Sequence, residues 1–197
     1  MSSSPIETPQ KSPFKGDLEG PHKDIKQSLR LLMNGVTAQS LRDKGMDYHL
    51  NWGANLLHLR EMASQYEPSL ELATLLWADN IRECKILATM LMPVGEFSED
   101  LAMKWISETP TQEIAEIASK QLFSQLPYAK SLALRLITSA DLMPQLYGYC
   151  ILGSLSNLSS EEKQQIILQA NNTINDTTLP IGLRHSAHNA MLRIENA

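Results

Sequence analysis

The chain has 197 residues, a formal net charge of −5 at pH 7, 43% hydrophobic residues and 20% charged residues. This composition is that of an ordinary folded domain, so it excludes an intrinsically disordered chain, and no apolar run approaches the ~20 residues of a membrane-spanning helix. The net negative charge counts against a protein that binds a phosphate backbone with its whole surface, although a local basic groove stays compatible with it.

The first segment is poor in large apolar residues and rich in Ser, Pro and Lys. Because such a segment buries little apolar surface, we predict a disordered arm over 1–20 and one folded domain over 21–197. The start has no apolar segment of the kind that directs secretion. The two cysteines form no spaced motif, which favours a cytoplasmic protein with buried, reduced thiols at Cys84 and Cys150.

Residues 22–66 show helical spacing of apolar side chains that is interrupted by turns. The first helix is predicted to end at Asn34-Gly35, a pair that favours the left-handed conformation of a helix C-terminus. A short helix over 37–44 and a turn over 51–53 come before the next helix. The apolar positions that define the two longer helices are Ile25, Leu29, Leu32, Leu56, Leu59, Ala63 and Tyr66.

The middle of the chain repeats itself. A Leu-Ala pair occurs at 72–73, 101–102 and 132–133, at separations of 29 and 31 residues. After each pair comes a break and a second apolar helix, and the partner helices are predicted over 81–92, 111–123 and 142–155. A looser fourth unit covers 161–194. Two helices for every ~30 to 40 residues, without strand-like alternation, predict an all-α solenoid of stacked antiparallel helix pairs.

Local signals agree with this pattern at most of the boundaries. Thr109-Pro110 is predicted to place a capping hydroxyl ahead of a proline at the first helical position. Gly148 and Gly153 fall inside a predicted helix, where glycine is unfavourable unless close helix packing requires a small residue. We expect the three tryptophans to pack in the core rather than to form a ligand cage. They are Trp52, Trp77 and Trp105.

Two segments, WGANLLHLREMA over 52–63 and LATLLW over 72–77, carry a family resemblance. In order and spacing they resemble motifs of the DNA alkylation repair glycosylase family, with Glu83 and Ala88 matching an acidic residue and an alanine of the following helix. Ala54 departs from the pattern, because the family has Val there. The resemblance extends from about residue 22 to the last residue. It implies a curved HEAT-like solenoid whose concave face holds duplex DNA.

The resemblance also implies a reactive pocket that excises cationic alkylated purines with a Trp, an Asp four residues later, and a Trp and an Arg from later repeats. Aromatic faces stabilise a cationic base, and a carboxylate stabilises positive charge that develops on the sugar. Here Gln112 stands at the first Trp position, Glu116 at the Asp position and Ala190 near the second Trp. The segment 143–147 contains no Arg. Glu116 is therefore the catalytic candidate.

Cationic residues on the predicted helices are candidates for a basic groove, for solvated faces or for ion pairs between repeats. They are Arg60, Arg82, Lys85, Arg135, Arg184 and Arg193. Of these, the nucleic-acid-binding candidates are Arg135, Arg184 and Arg193. Between residues 96 and 116 six acidic residues stand against one lysine, and they would repel phosphate if they faced the groove.

Two histidines, His185 and His188, share a helix face at i, i+3 spacing, which makes a divalent metal conceivable. No third ligand follows from the spacing, so we expect neither a metal nor a cofactor. Cys84 has no residue that would orient a histidine towards it, so the sequence gives little support for a nucleophile.

Three functional hypotheses remain. The leading hypothesis is a HEAT-like protein of the DNA alkylation repair family that lacks base excision and retains weak binding to duplex DNA on its concave face. The alternative is a scaffold whose concave face takes a protein partner; clustered Arg and Lys would favour DNA, and an apolar or acidic face would favour the scaffold. The third hypothesis is an active glycosylase, which requires an aromatic residue beside Glu116. The possible donors are Trp105, Tyr147 and Tyr149.

Overall fold

The computed structural model describes residues 19–46 and 48–196, which form α-helices joined by short connections. The helices are α1 (Glu19–Leu31), α2 (Gly35–Asp43), α3 (Leu56–Ala63), α4 (Leu70–Ala78), α5 (Arg82–Leu91), α6 (Glu99–Ser107), α7 (Gln112–Gln121), α8 (Ala129–Leu136), α9 (Leu142–Leu152), α10 (Ser160–Asn175) and α11 (Ile181–Glu195). Single 3₁₀ turns lie at Val94–Glu96 and Phe123–Gln125. The predicted arm lies outside the described residues except at its end, because α1 already begins at Glu19.

The helices stack in two rows. The inner row is α3, α5, α7, α9 and α11, each of which packs against the next. Side-chain contacts join successive helices of the outer row: Trp77 of α4 stacks on Trp105 of α6, Arg135 of α8 pairs with Glu99 of α6, and Lys130 of α8 pairs with Glu162 of α10. The predicted all-α, HEAT-like solenoid of antiparallel helix pairs is confirmed.

An aromatic series fills the core between the rows. The Trp77 and Trp105 rings are parallel with centroids 4.1 Å apart, and Phe97 meets Trp105 edge-on at 4.8 Å. Phe123 continues the series to the fully buried Tyr147 at 4.9 Å. Offset and edge-on aromatic pairs contribute more than their buried area alone. Trp52 is also buried, so the prediction that the three tryptophans pack in the core is confirmed.

Side-chain caps fix the helix starts more often than glycine or proline does. Two predicted boundaries are wrong in detail. Asn34 does not end α1 in a left-handed conformation; it has φ −126° and its side chain accepts from Thr37 N to cap α2. The cap of α7 is Thr111 rather than Thr109, because the Thr109 hydroxyl is already used by Trp105 O and the Tyr147 hydroxyl.

The turn before α3 depends on one buried carboxylate. Gly53 adopts φ +76°, and a Cβ there would overlap the Asn34 carbonyl oxygen, so only glycine fits. Glu83 of α5 is fully buried and accepts the backbone N–H groups of residues 52, 53 and 54. The turn and the acidic residue of the next helix, both noted in the sequence, are therefore partners in one contact.

The same carboxylate belongs to a longer buried chain of charges. Arg82 donates to Glu83 at 3.0 Å and forms a two-point ion pair with Glu113 of α7 at 2.6 and 2.9 Å. The Tyr48 hydroxyl bonds both Glu113 and Thr111. Arg82 thus forms an ion pair between repeats. Through Tyr48 and the turn at residues 52–54, the segment before α3 is hydrogen-bonded to α5 and α7.

Gly148 of α9 and Gly153, which lies just after the end of α9 as its C-cap, are placed where neighbouring helices come close. A Cβ on Gly148 would lie 2.7 Å from Ile137 Cγ2 and 2.8 Å from Ile137 N, at the end of α8. A Cβ on Gly153 would lie 3.1 Å from Ala190 Cα on α11. Close packing therefore accounts for glycine at both positions.

Candidate nucleic-acid interface

The inner row encloses a cavity of about 290 Å³ between α3, α7, α9 and α11. Its lining includes three cationic side chains, Arg60, Lys120 and Arg193, and one acidic side chain, Glu116. The remainder is a mixture of small, polar and apolar residues: Leu56, Ile117, Gln121, Tyr149, Cys150, Gly153, Ser154, Ser186, Asn189 and Ala190. We call this space the inner cavity.

Helix geometry places the three cations. Arg60 lies in the last turn of α3, Lys120 in the last turn of α7 and Arg193 in the last turn of α11. A cation is stabilised at a helix C-terminus because the helix dipole is negative there. All three side chains belong to exposed residues. In the part of the chain that the structure describes, none of them pairs with a carboxylate, so all three charges are available to an anion.

Glu116 lies on the wall of the cavity formed by α7. Its Oε1 accepts a hydrogen bond of 2.7 Å from Gln112 Nε2, one turn earlier on the same helix. Ala190 of α11 lines the same cavity, and Gln112 and Glu116 also line an adjoining space with Lys44. The three positions at which the resemblance places Trp, Asp and Trp therefore converge, but neither aromatic side chain is present.

Only one of the three aromatic candidates lines this cavity. Tyr149 does so, but its hydroxyl is bonded to Thr173 Oγ1 at 2.7 Å and burial raises its pKa. Tyr147 is fully buried and bonded to Thr109, and Trp105 is stacked in the core. Among the described residues, the lining of this cavity therefore lacks the two tryptophans that would hold a cationic base.

The nucleic-acid-binding candidates separate in space. Arg193 lines the inner cavity, whereas Arg135 lies on the outer row and pairs with Glu99 of α6. Arg184 lies on α11 with its Nε buried and without a partner among the described residues, and it does not line the inner cavity.

Two other cations from the sequence are structural. Arg82 is held by Glu83 and Glu113. Lys85 is buried and its ammonium donates to the Trp77 carbonyl at 2.9 Å. The same ammonium lies 4.4 Å from the centre of the Trp77 ring. Burial lowers the pKa of Lys85. Neither residue is available to a groove ligand.

The acidic residues between 96 and 116 do not gather in the cavity. Glu99 and Asp100 lie in the first turn of α6 on the outer row. Glu108 accepts from Trp77 Nε1 at 3.0 Å, and Glu113 is engaged by Arg82. Of the six, Glu116 lines the inner cavity. The local charge there is thus opposite in sign to the net charge of the chain.

Neither the histidines nor the cysteines assemble a reactive centre. His185 and His188 are exposed on α11, and the described residues contain no cluster of three or more His, Cys, Asp and Glu that could hold a metal ion. Burial raises the pKa of Cys84 well above its ordinary range and that of Cys150 to about 12. Since the thiolate is the nucleophile, burial disfavours the reactive form of both thiols at neutral pH.

Sequence reasoning did not single out Lys120. The sequence did contain an indication of it. Gln112, Glu116 and Lys120 follow one another at intervals of one helical turn, so the three share a face of α7. Arg60 was one of six candidate cations, but nothing in the sequence places α3 opposite the C-terminal ends of α7 and α11.

Comparison with known proteins gives one informative match. No family model and no curated protein sequence matches the chain. A solved structure described as "a new family of proteins related to the HEAT-like repeat DNA glycosylases with affinity for branched DNA structures" superposes with a TM-score of 0.80 at 18% identity. The match covers 88% of this chain and 75% of the other. The protein therefore shares the HEAT-like fold. Among the described residues no helix has the length and apolarity to cross a bilayer.

Proposed function

We propose that this HEAT-like solenoid is a DNA-binding protein that does not excise bases. It holds DNA in its inner groove, by which we mean the surface of the inner row of helices around the inner cavity. The observation that carries the proposal is that Arg60, Lys120 and Arg193 surround the inner cavity and none of them pairs with a carboxylate of the described residues. Unpaired cations that face one groove bind phosphate and release the counterions of the nucleic acid. Each cation comes from a different helix, so the trio depends on the folded solenoid.

The fold supports the same proposal. The superposed structure belongs to proteins described as having affinity for branched DNA, and its fold is shared over most of this chain. Among the hypotheses left open by the sequence, a cationic groove favours DNA binding over a protein-binding scaffold. An apolar or acidic groove would have favoured the scaffold.

The cavity supports the absence of base excision. Expulsion of a cationic base needs an aromatic face to hold it and a carboxylate to stabilise the sugar. Glu116 supplies a carboxylate, but Gln112 and Ala190 offer no ring, and the Tyr149 ring is fully buried. We expect no release of 7-methylguanine or 3-methyladenine from alkylated DNA above the rate without protein. Release that Glu116→Gln abolishes would show instead that the protein is a glycosylase.

The binding test compares charge reversal at two positions. Duplex and four-way-junction DNA are titrated with the protein at low salt, and anisotropy reports the Kd. Lys120→Glu combined with Arg193→Glu is expected to weaken binding about tenfold or more, because two phosphate contacts become repulsive.

The matched control is Arg135→Glu, which reverses a charge on the outer row. It is expected to leave the Kd unchanged, since Arg135 faces Glu99 rather than the groove. Equal affinity of the double variant and the unmodified protein would contradict the proposal. A junction affinity above the duplex affinity would add branched DNA to it.

A further inference from the structure

We infer that the inner cavity receives a single unstacked nucleotide of the bound DNA, with its phosphate against the cations and the edge of its base against Glu116. This inference rests on the proposed DNA binding and specifies what the groove recognises. It concerns a nucleotide already displaced from the helix, such as one at a bulge or a branch point, and it involves no bond cleavage.

The size of the cavity points to a single nucleotide. Its volume of about 290 Å³ lies at the lower end of the range of ~300–1,000 Å³ for pockets that bind small ligands. A duplex is far too wide to enter, and a space that holds only ordered water needs about a tenth of this volume for each molecule. The ligand that fits is one small group projecting from a larger partner.

The lining divides in the way that a nucleotide requires. The exposed part of the lining carries the Arg60, Lys120 and Arg193 charges, which suit a phosphate, and Glu116, one helical turn from Lys120. Leu56 and Ile117, which are half-buried, also line the cavity. These aliphatic side chains offer an apolar surface to the face of a base. Anionic at one end and flat and weakly polar at the other, a nucleotide matches both parts.

Glu116 gives the cavity a preference among bases. A carboxylate has about four acceptor sites and no donor, and Gln112 Nε2 occupies one of them at 2.7 Å. The remaining sites require donors. The Watson–Crick edge of guanine offers two neighbouring donors, whereas that of thymine offers one donor between two acceptors, and flipped bases are read on this edge. The cavity is therefore expected to favour guanine over thymine.

The test uses duplexes of equal length that contain a single-nucleotide bulge of guanine, of thymine or of an abasic site, beside the fully paired duplex. The bulged strands carry the same number of phosphates, so differences among them report the base. We expect the guanine bulge to bind about tenfold more tightly than the abasic bulge, as expected for one base that is both packed and hydrogen-bonded.

Two variants distinguish binding of the base in the cavity from binding of phosphate by the cations. Asn189 is exposed and lines the cavity, so Asn189→Trp fills the space without a core change. It is expected to reduce the guanine bulge to the affinity of the abasic bulge and to leave the salt dependence intact. Glu116→Gln is expected to reduce the guanine advantage over thymine several-fold. Asn171→Trp, at an exposed position of α10 outside the cavity, is the matched control and should change neither.

The outcomes distinguish the two proposals. Equal affinities for guanine, thymine and abasic bulges, with salt-dependent binding that the Lys120 and Arg193 reversals weaken, would overturn the nucleotide site and leave DNA binding standing. A guanine advantage over thymine that survives Glu116→Gln in a folded protein would also overturn the site. Absence of salt-dependent DNA binding would overturn both.

Discussion

At the scale of single residues, a buried network of charged groups connects the helices in the N-terminal half of the solenoid. Glu83 is fully buried, and its oxygens are used by three backbone N–H groups and by Arg82. Arg82 continues the chain to Glu113 and Tyr48. Removal of one partner from such a network leaves another charge buried without compensation. This loss destabilises the protein strongly, even where the intact network contributes little more to stability than apolar residues in its place would.

Glu83→Gln tests this network. The amide keeps the shape of the carboxylate but turns a donor towards backbone donors and removes one of the two carboxylates that pair with Arg82. We expect a loss of about 3–5 kcal/mol in the free energy of unfolding, measured by urea denaturation. Glu99→Gln, which removes a half-exposed partner of Arg135 on the surface, is the control and should shift the midpoint little. Similar midpoints for the two variants would contradict the network's importance.

The acid side of the stability curve should depend on Glu113. Burial alone raises the pKa of its carboxyl, but hydrogen bonds from Arg82 and Tyr48 outweigh burial, so its pKa lies below the ordinary value of 4.5. A group whose pKa is lowered by folding stabilises the protein above its unfolded-state pKa, and this contribution is lost as the pH falls through the folded-state value.

Glu113→Gln should therefore flatten the decline of stability below about pH 4.5, although the variant is less stable at neutral pH. Urea midpoints measured from pH 7 downwards check this expectation. Parallel curves for the variant and the unmodified protein would show that other carboxylates control acid unfolding.

At the scale of helices, periodicity was sufficient to locate the elements, and local hydrogen bonds decided their ends. The repeated Leu-Ala pairs mark α4, α6 and α8 because these side chains face the core in each repeat. The cap of α7 was misplaced by two residues because Thr109 and Thr111 are both capping residue types and the proline after Thr109 favoured the wrong one. In the structure Tyr147 engages the Thr109 hydroxyl, and a contact 38 residues away leaves no local signal.

Gly148→Ala separates packing from helix propensity. Alanine favours a helix by ~1 kcal/mol over glycine, but its Cβ would lie 2.7–2.8 Å from Ile137, so α8 and α9 must move apart. We expect a net destabilisation of about 1–3 kcal/mol, measured by urea unfolding. Gly35→Ala, in α2 with no atom within 4 Å of the added Cβ, should be neutral or stabilising. A stabilising Gly148→Ala would show that the contact relaxes without cost.

At the scale of the whole molecule, the local charge around the inner cavity is opposite in sign to the net charge of the chain. The chain is acidic overall, yet the cavity has three cations against one carboxylate. The sequence indicated the solenoid and the position of Glu116 on its inner row. It could not indicate which cations share the groove, because Arg60, Lys120 and Arg193 are separated by 60 and 73 residues and only the stacking of helices brings them together.

This arrangement predicts the salt dependence of binding. With three phosphate contacts, the logarithm of the association constant should fall against the logarithm of salt concentration with a slope of about −3. Lys120→Gln should make the slope shallower by about 1. A slope near zero would indicate that binding does not use the groove cations.

The parallel pair of Trp77 and Trp105 gives the protein an intrinsic spectroscopic probe of its curvature. Indoles in face-to-face contact share their excited state, and each ring here belongs to a different repeat. If DNA makes the arc open or tighten along its outer edge, the rings separate or slide, and their ultraviolet emission and dichroism change with them. Changes in curvature can thus be followed in the unlabelled protein.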